Sequence, residues 1–341
     1  MAYRSEGVSA VFREPRGPAG VVVEERERTE LQPGHVAVAI RTASLNHLDL
    51  WVASGAQRVT PPRVLGADGA GVVLESDDSR WPVGTEVCIY PVASCGHCDA
   101  CLAGRQLDCK EFGIIGEHTD GTACEVFQLP PHNLARRPAG LSWEESAAFP
   151  LTQLTAWRMI TTRARLQPGE TMLVVGAGAG VAAAAIAIGR QLGARVIATS
   201  RSEAKRQRAL ELGAEAAYDS ADFSRAVRKE HGGVDVVFEH VGPATIDQSL
   251  RSLRRNGRLV FCGSTSGVVA EINMPRVFLG QIELLGSTMG NRGEFDALLE
   301  AVDAGLRPSI DSVHPLSDVV AAMTRMERAE QFGKIVLRVA S

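Results

Sequence analysis

The protein has 341 residues, of which 45% are hydrophobic, 22% charged and 5% aromatic, and its formal net charge is −4. A chain of about twice the usual domain length predicts two domains, each able to bury a core without disulfide bonds. The charge balance indicates no nucleic-acid partner, and no apolar run reaches the ~20 residues that cross a membrane. The first ten residues lack the apolar core of a secretory signal, so we expect a cytoplasmic protein.

The first 135 residues contain short apolar or alternating segments that Pro, Gly or Asp interrupts. Such segments favour strands separated by turns. The sequence therefore predicts a small, mostly β domain, with strands at 36–40, 71–74, 86–90 and 123–129.

From about residue 141 the pattern changes to alternating strands and helices. Ser142, followed by Glu144 and Glu145, predicts a helix start. Apolar runs that alternate with helices predict a parallel sheet covered on both faces, and thus an α/β fold with a doubly wound sheet. The predicted strands are 171–175, 195–199, 234–239, 258–262 and 282–287, and the predicted helices are 181–192 and 202–212.

The tail has a different pattern. It predicts a helix at 318–329 and then a strand at 333–337. This strand has no neighbouring strand and helix with which to form a crossover unit. We therefore expect it to return to the N-terminal domain.

A glycine-rich turn joins the predicted strand 171–175 to the predicted helix 181–192. Gly176, Gly178 and Gly180 leave room for a pyrophosphate to approach backbone N–H groups at the helix start, next to Val181. A second strand follows about 20 residues later, as in dinucleotide-binding units. The context therefore predicts a dinucleotide site rather than an ordinary strand-to-helix turn.

The end of the second predicted strand indicates which dinucleotide binds. An acidic residue at this place holds the ribose hydroxyls of NAD, but the sequence has Ser200 and Arg201 there, with Lys205 one helical turn later. A hydroxyl and two cations suit a 2′-phosphate, so we expect NADP(H). The alternative is that the two cations only solvate the helix start.

Four of the seven cysteines fall within 15 residues, with the spacing C-x2-C-x2-C-x7-C. Four thiolates at such spacing can enclose a tetrahedral zinc ion and leave no open coordination position. Two disulfides are disfavoured in a cytoplasmic protein, and nothing else indicates the electron transfer of an iron–sulfur cluster. We therefore expect one structural zinc on Cys95, Cys98, Cys101 and Cys109.

The chain resembles the zinc-containing alcohol dehydrogenase and quinone oxidoreductase family, the medium-chain dehydrogenases/reductases. The motifs that carry the resemblance are ASLNHLDL at 43–50, LGADGAGVV at 65–73, the four cysteines, LTAW at 154–157, the glycine-rich turn and GKIVL at 333–337. The resemblance implies a GroES-like catalytic domain over residues 1–134 with a zinc lobe at about 93–112, a Rossmann NADP-binding domain over 135–289, and a C-terminal return over 290–341. It also implies a homodimer or homotetramer joined through the Rossmann sheets.

The resemblance also shows what the sequence lacks. The family's alcohol dehydrogenases hold a catalytic zinc with a Cys, a His and a second Cys or an acid, and these positions fall on Asn46, Ala67 and about Leu151. Ala and Leu have no ligand atom, and a neutral amide binds zinc poorly. We therefore expect the catalytic zinc to be absent. Asp49 and Asp68 match acidic positions that would surround it and are expected to serve as hydrogen-bond partners.

The resemblance assigns roles to other side chains. Asn46 either polarises the substrate oxygen or orients the nicotinamide ribose. His47 contacts the pyrophosphate or supplies a proton, and His118 is a weaker candidate donor or a surface histidine. Further cofactor contacts are expected from Thr155, Gly242, Gly263, Ser264 and Lys334, the last beside the pyrophosphate.

Three functions remain open from the sequence. The first is hydride transfer from NADPH to the activated C=C bond of a small enone, enal or quinone without a catalytic zinc. The second is carbonyl reduction or alcohol oxidation on the same fold, also without that zinc. The third, from another class, is an NADP-binding protein without catalytic activity that has a structural or regulatory role.

Overall fold

The computed structural model describes residues 6–27 and 29–339, so the first half of the segment tested for a secretory signal lies outside the described residues. Its strands are β1 Glu6–Phe12, β2 Val21–Glu27, β3 Val36–Leu45, β4 Arg63–Val64, β5 Asp68–Ser76, β6 Glu86–Ile89, β7 Val92–Ala93, β8 Gly113–Ile114, β9 Val126–Leu129, β10 Leu134–Arg136, β11 Thr171–Val174, β12 Arg195–Thr199, β13 Ala216–Tyr218, β14 Val234–Glu239, β15 Leu253–Phe261, β16 Glu283–Gly286, β17 Ile310–Pro315 and β18 Lys334–Arg338. Its helices are α1 His47–Ser54, α2 Asp99–Leu102, α3 Trp143–Ala148, α4 Pro150–Trp157, α5 Gly180–Gln191, α6 Glu203–Glu211, α7 Phe223–His231, α8 Ile246–Ser252, α9 Met274–Gly280, α10 Arg292–Asp303 and α11 Val319–Glu327. Among the described residues no helix has the length and apolar character needed to span a bilayer.

The chain forms two compact units. Unit 1 combines the residues up to Thr152 with those from Asn291 onward, and unit 2 runs from Gln153 to Gly290. The first division therefore lies after residue 152 and not after residue 134, where the sequence prediction placed it. Hydrogen bonds from β3 explain the difference, because Thr42 and Ser44 donate to backbone carbonyls of α3 at 2.7 and 2.8 Å.

Unit 1 is built around a mixed sheet with the strand order β10-β6-β5-β3-β18-β17, and β9 also pairs with β3. Strand β18 runs antiparallel to β3, with Ile335 opposite Leu45. The prediction that the last strand returns to the N-terminal domain is confirmed. Apolar side chains from β3, β5, β6 and β9 form one core, which includes Val38, Ile40, Val73, Ile89 and Leu129.

Unit 2 contains six parallel strands in the order β13-β12-β11-β14-β15-β16. Parallel neighbours require crossover connections, and helices supply them between successive strands. The interior strands β11 and β14 are almost entirely buried, which explains their continuous apolar sequences. The α/β fold with a doubly wound Rossmann sheet and a separate GroES-like domain is thus confirmed.

Candidate functional site

The glycine-rich turn lies between β11 and α5. The Gly176 N–H donates to Thr199 Oγ1 at 3.1 Å and the Ala177 N–H donates to the Thr199 carbonyl at 2.6 Å, which fixes the turn against the end of β12. Gly176 and Gly178 have φ values of +78° and +127°. These conformations favour glycine, so the turn presents bare backbone at the start of α5, which Gly180 begins.

The three side chains expected to recognise a 2′-phosphate follow β12, whose end contacts this turn. Ser200 follows β12 and is buried, Arg201 is exposed, and Lys205 lies in the first turn of α6. A Cβ placed on Gly178 would lie 2.7 Å from Cδ and 3.1 Å from Nζ of Lys205, so the lysine side chain crosses the turn itself. The structure therefore brings the Lys205 cation to the glycine-rich turn.

The loops after β14 and β15 meet at the same sheet edge. The buried Glu239 carboxylate accepts the N–H groups of Val241 and Gly242 at 2.7 and 3.2 Å and the hydroxyls of Thr245 and Ser249 at 3.0 and 2.6 Å. These bonds fix the loop that contains Gly242. The Ser266 N–H and hydroxyl donate to the Val241 carbonyl at 2.9 and 2.7 Å and join this loop to the segment after β15, where a Cβ on Gly242 would lie 3.4 Å from the Cα of Ser264.

His240 adds a polar group that the sequence analysis did not select. Its side chain is 8% exposed, and within the described part of the chain its Nε2 has no hydrogen-bond partner. A Cβ on Gly176 would lie 3.2 Å from this nitrogen, so the imidazole lies against the glycine-rich turn. Burial lowers the pKa of His240, which favours the neutral ring. The sequence signal that could have identified His240 is its position directly after the predicted strand 234–239, at the carboxyl edge of the sheet.

The four cysteines form a compact cluster in unit 1. Their sulfur atoms all lie within 4.8 Å of one another, and three pairs are 3.6 to 3.8 Å apart. Four sulfurs at ~2.3 Å from a tetrahedral zinc would be about 3.8 Å from one another. The cluster therefore fits a closed four-thiolate zinc site.

The segment that carries the cysteines is anchored on both sides. Strands β7 and β8 pair where it leaves and rejoins the unit, and α2 lies between them. The Leu107 N–H donates to Asn291 Oδ1 at 3.1 Å, and the Arg292 N–H donates to Gln106 Oε1 at 3.0 Å. A zinc ion there would therefore stabilise a lobe that contacts the start of α10.

A second polar cluster lies around Asp68 at the start of β5. The Lys334 ammonium group donates to Asp68 Oδ2 at 2.9 Å and to Asn46 Oδ1 at 2.5 Å, and Asn46 Nδ2 donates to Asp68 Oδ2 at 2.8 Å. The Leu151 N–H donates to Asp68 Oδ1 at 2.7 Å, and the Ser44 hydroxyl lies 3.2 Å from Oδ2. All three charged or amide side chains are at most 4% exposed.

Asp49 organises the backbone beside this cluster. Its carboxylate accepts the Asn46 N–H at 2.7 Å and the Gly66 N–H at 2.9 Å. Burial raises the pKa of Asp49 to about 6, although the two hydrogen bonds oppose the shift. Asp49 thus fixes the positions of Asn46 and of the turn before Ala67.

Three further side chains were predicted to contribute to the site. His47 is exposed in the first turn of α1 and packs edge-on against Trp51 at 5.0 Å. His118 is exposed, and its Nδ1 accepts the Ile114 N–H at 3.1 Å. Thr155 is buried in α4, where its hydroxyl lies 3.9 Å from the Met289 sulfur.

Comparisons with known proteins match both units. Residues 32–139 match the alcohol dehydrogenase GroES-like domain, and residues 180–304 match the zinc-binding dehydrogenase domain. A solved structure of an NAD-dependent alcohol dehydrogenase is 39% identical, with a TM-score of 0.94 over 98% of this chain and 100% of that chain. The chain belongs to the zinc-type medium-chain dehydrogenase/reductase superfamily. It is therefore an oxidoreductase.

Curated relatives within this superfamily carry two kinds of names. An alcohol dehydrogenase of Geobacillus stearothermophilus is 28% identical over 93% of this chain and 96% of its own length. The acryloyl-coenzyme A reductase of Metallosphaera sedula is 27% identical over the same shares of the two chains. The first name refers to an alcohol substrate and the second to the reduction of an acryloyl group.

The residues of this chain at the positions of the superfamily's catalytic zinc ligands do not fit a metal ion. The Asn46 amide is hydrogen-bonded to Lys334 and Asp68, and the side chains of Ala67 and Leu151 have no atom that can bind a metal. The structure also changes the interpretation of Lys334. The resemblance placed it beside the pyrophosphate, but its side chain is 3% exposed and its ammonium group donates to Asn46 and to the buried Asp68 carboxylate.

Proposed function

We propose that this oxidoreductase reduces a C=C bond conjugated to a carbonyl group, with NADPH as the reductant and without a catalytic zinc. The observation that carries the proposal is the Asp68 cluster, in which Lys334, Asn46 and Asp68 bond to one another and Asn46 stands at a position that the resemblance assigns to a catalytic zinc ligand. The relative named acryloyl-coenzyme A reductase adds support for an activated C=C substrate.

The residues of unit 2 fit a dinucleotide. A Cβ on Gly176 would lie 2.8 Å from Val241 Cγ2 and one on Gly178 would lie 2.7 Å from Lys205 Cδ, so glycine lets these side chains pack directly against the turn. Reduced nicotinamide, when bound, supplies a hydride. We infer that Gly180, Val181, Gly242, Gly263 and Ser264 line the same site, with Thr155 near the nicotinamide.

The reaction leaves the substrate saturated. Its β-carbon accepts the hydride, the C=C electron pair shifts toward the carbonyl oxygen, and the α-carbon then takes one proton. The proton comes from solvent or from a histidine such as His118, whose Nδ1 is engaged with Ile114 while its Nε2 is chemically able to donate. Negative charge that develops on the carbonyl oxygen needs a hydrogen-bond donor or cation.

Cofactor preference tests the NADPH part of the proposal. We expect kcat/KM to be at least ~10-fold higher with NADPH than with NADH, because Ser200, Arg201 and Lys205 suit a 2′-phosphate. The double substitution Arg201→Ala and Lys205→Ala should remove most of this preference. Arg208→Ala, farther along α6, is the matched control and should keep it. A wild-type preference for NADH would overturn this assignment. The 39% identical solved structure is named as an NAD-dependent alcohol dehydrogenase.

A panel of enones, enals, quinones and saturated aldehydes tests the reaction. We expect NADPH oxidation with the first three groups, with the saturated ketone or aldehyde as the product of enones and enals and the hydroquinone as the product of quinones. The second candidate, a zinc-independent carbonyl reductase or alcohol dehydrogenase, is favoured by the alcohol dehydrogenases among the relatives. Turnover of saturated aldehydes alone would support it and refute C=C reduction.

We also propose a structural zinc on the four cysteines, a small-molecule substrate, a cytoplasmic location and a homodimer. The sulfur spacing supports the zinc. The edge strand β16 supports the dimer, because apolar side chains near it are exposed. They are Val268, Val269, Met274, Phe278, Leu279 and Leu284.

A further inference from the structure

A cleft opens at the amino edge of the sheet in unit 2. Its volume is about 460 Å³, within the usual range for small-molecule sites, and all its lining residues belong to unit 2. Leu253 is the first residue of β15 and Ile282 directly precedes β16, so both mark the amino ends of parallel strands. The glycine-rich turn follows the carboxyl end of β11. The cleft is therefore separate from the dinucleotide site.

Four arginines line this cleft, and no Asp or Glu does. They are Arg228, Arg254, Arg255 and Arg276. Of the four, only Arg254 has a carboxylate partner in the described part of the chain, since its Nη1 bonds to both Asp235 oxygens at 2.9 and 2.7 Å. Three positive charges are thus not neutralised by the protein. A cleft lined by one sign of charge raises the local concentration of the opposite charge.

Hydrogen bonds to backbone carbonyls hold two of these side chains in place. Arg228 Nη1 donates to the Leu253 carbonyl and Arg255 Nη1 to the Leu279 carbonyl, each at 3.0 Å. A guanidinium group has five N–H donors in a rigid fork, so one such bond leaves donors for a ligand. Side chains that are already held lose less conformational freedom when they bind an anion.

The floor of the cleft is apolar. Leu250 and Leu253 line it and are almost completely buried, and Ile282 packs against the same core cluster. An ion as small as phosphate would contact the arginines and leave this apolar surface in water. The lining therefore suits a molecule that has both an anionic head and an apolar body.

We propose that this cleft binds a small amphipathic anion. Its carboxylate or phosphate head bonds to the arginines that lack a carboxylate partner, and its aliphatic chain lies on the leucine and isoleucine side chains of the floor. Guanidinium groups bind carboxylate and phosphate oxygens with the same paired N–H donors, so the two heads share one chemistry. The site is independent of the reaction proposed above.

Calorimetric titration with octanoate and with octyl phosphate tests the site. We expect one molecule per chain with a Kd of about 1 mM or lower. The double variant Arg255→Gln and Arg276→Gln should weaken binding at least ~10-fold, because it removes hydrogen bonds to a charged group. Arg251→Gln is the matched control, since this exposed residue pairs with Asp247 and does not line the cleft. It should keep the wild-type affinity.

Inorganic phosphate and octanol separate the two halves of the ligand. Each should bind at least ~10-fold more weakly than octyl phosphate, because phosphate lacks the chain and octanol lacks the charge. Inorganic phosphate that binds as tightly as octyl phosphate would refute the apolar part of the proposal.

The variant with Arg201→Ala and Lys205→Ala separates this cleft from the expected 2′-phosphate site. It should bind octyl phosphate as the wild type does. Weaker binding in this variant alone, or equal binding by the wild type and the Arg255→Gln and Arg276→Gln variant, would overturn the proposal. Absence of binding at millimolar octanoate and octyl phosphate would overturn it as well. These titrations need no turnover, so failure of the proposed reduction would leave their result unchanged.

Discussion

Asp49 shows how one buried carboxyl group makes the unfolding free energy depend on pH. Its pKa is raised to about 6 from 3.8, so the folded protein holds the proton more tightly than the unfolded chain does. Below about pH 4 both states are protonated and the group has no effect. Between about pH 4 and 6 its contribution falls, and above that the full cost is about 3 kcal/mol.

We therefore expect Asp49→Asn to change the pH profile. As the pH rises from 4 to 6, the unfolding free energy of the wild type should fall by about 2 kcal/mol relative to that of the variant. Urea unfolding at intervals across this range measures the difference. Asp77→Asn, at an exposed position, should reproduce the wild-type profile. Parallel profiles for wild type and Asp49→Asn would contradict the prediction.

Cys98 tests the zinc lobe at the level of one ligand. We expect about one zinc per chain in the wild type and almost none in Cys98→Ser, because three thiolates cannot close the site. A loss of even ~2 kcal/mol would lower the unfolding midpoint by roughly 4–8 °C. Elemental analysis and thermal unfolding measure both effects.

The matched control for Cys98 is Cys262→Ser. This half-buried cysteine lies outside the cluster, so the zinc content of the Cys262→Ser variant should stay at the wild-type level. Two zinc ions per chain in the wild type would contradict the assignment of a single metal site.

Sequence patterns identified some site residues and missed others for a physical reason. The four cysteines and the glycine-rich turn are local, since each set lies within 15 residues of sequence. The Lys334–Asp68 pair joins residues 266 positions apart, and no local pattern predicts such a contact. Asn46 was therefore assigned to the substrate or the ribose, although its amide is engaged with that pair.

At the scale of elements, the strands of unit 2 were the easiest to predict. β12 and β14 have the predicted bounds, because buried parallel strands read as continuous apolar runs between Gly, Asp or charged residues. In unit 1, the strand predicted at 36–40 extends to Leu45, and the one at 123–129 begins only at Val126. Pairing with β18 and β5, and not local sequence, sets the length of β3.

Gly71 tests the contact between β3 and β5. A Cβ at this position would lie 2.2 Å from the Ala39 carbonyl oxygen, so Gly71→Ala must push the two strands apart. We expect a loss of several kcal/mol in unfolding free energy, or failure to recover folded protein, as for other severe backbone clashes. Chemical unfolding measures the loss.

Gly293→Ala is the matched control for Gly71→Ala. It lies in the first turn of α10, and its Cβ would meet no atom within 4 Å. We expect it to stabilise the protein by about 0.5–1 kcal/mol, because alanine has the higher helix propensity and restricts the unfolded chain. A loss of unfolding free energy in Gly71→Ala that is no larger than the change in Gly293→Ala would contradict the assigned contact.

At the scale of the whole molecule, the sheet edge of unit 2 predicts self-association. β16 is the last strand in the order, and in the described part of the chain no strand pairs with its outer edge. We expect a dimer in sedimentation experiments and a shift toward monomer in Leu284→Asp, which puts a charge on that edge. Val83→Asp, at an exposed position of unit 1, should leave the dimer intact. A monomeric wild type would contradict the prediction.

The pairing of β18 with β3 also sets the order in which the two units can fold during synthesis. Unit 2 is contiguous, so it can fold on the ribosome as soon as residue 290 has emerged, whereas the sheet of unit 1 stays open until β18 arrives. Until then β3 lacks its β18 neighbour, and the Asp68 carboxylate lacks its cation. A nascent chain stopped before residue 334 would therefore present an unpaired strand edge and a buried negative charge, both of which favour aggregation or degradation.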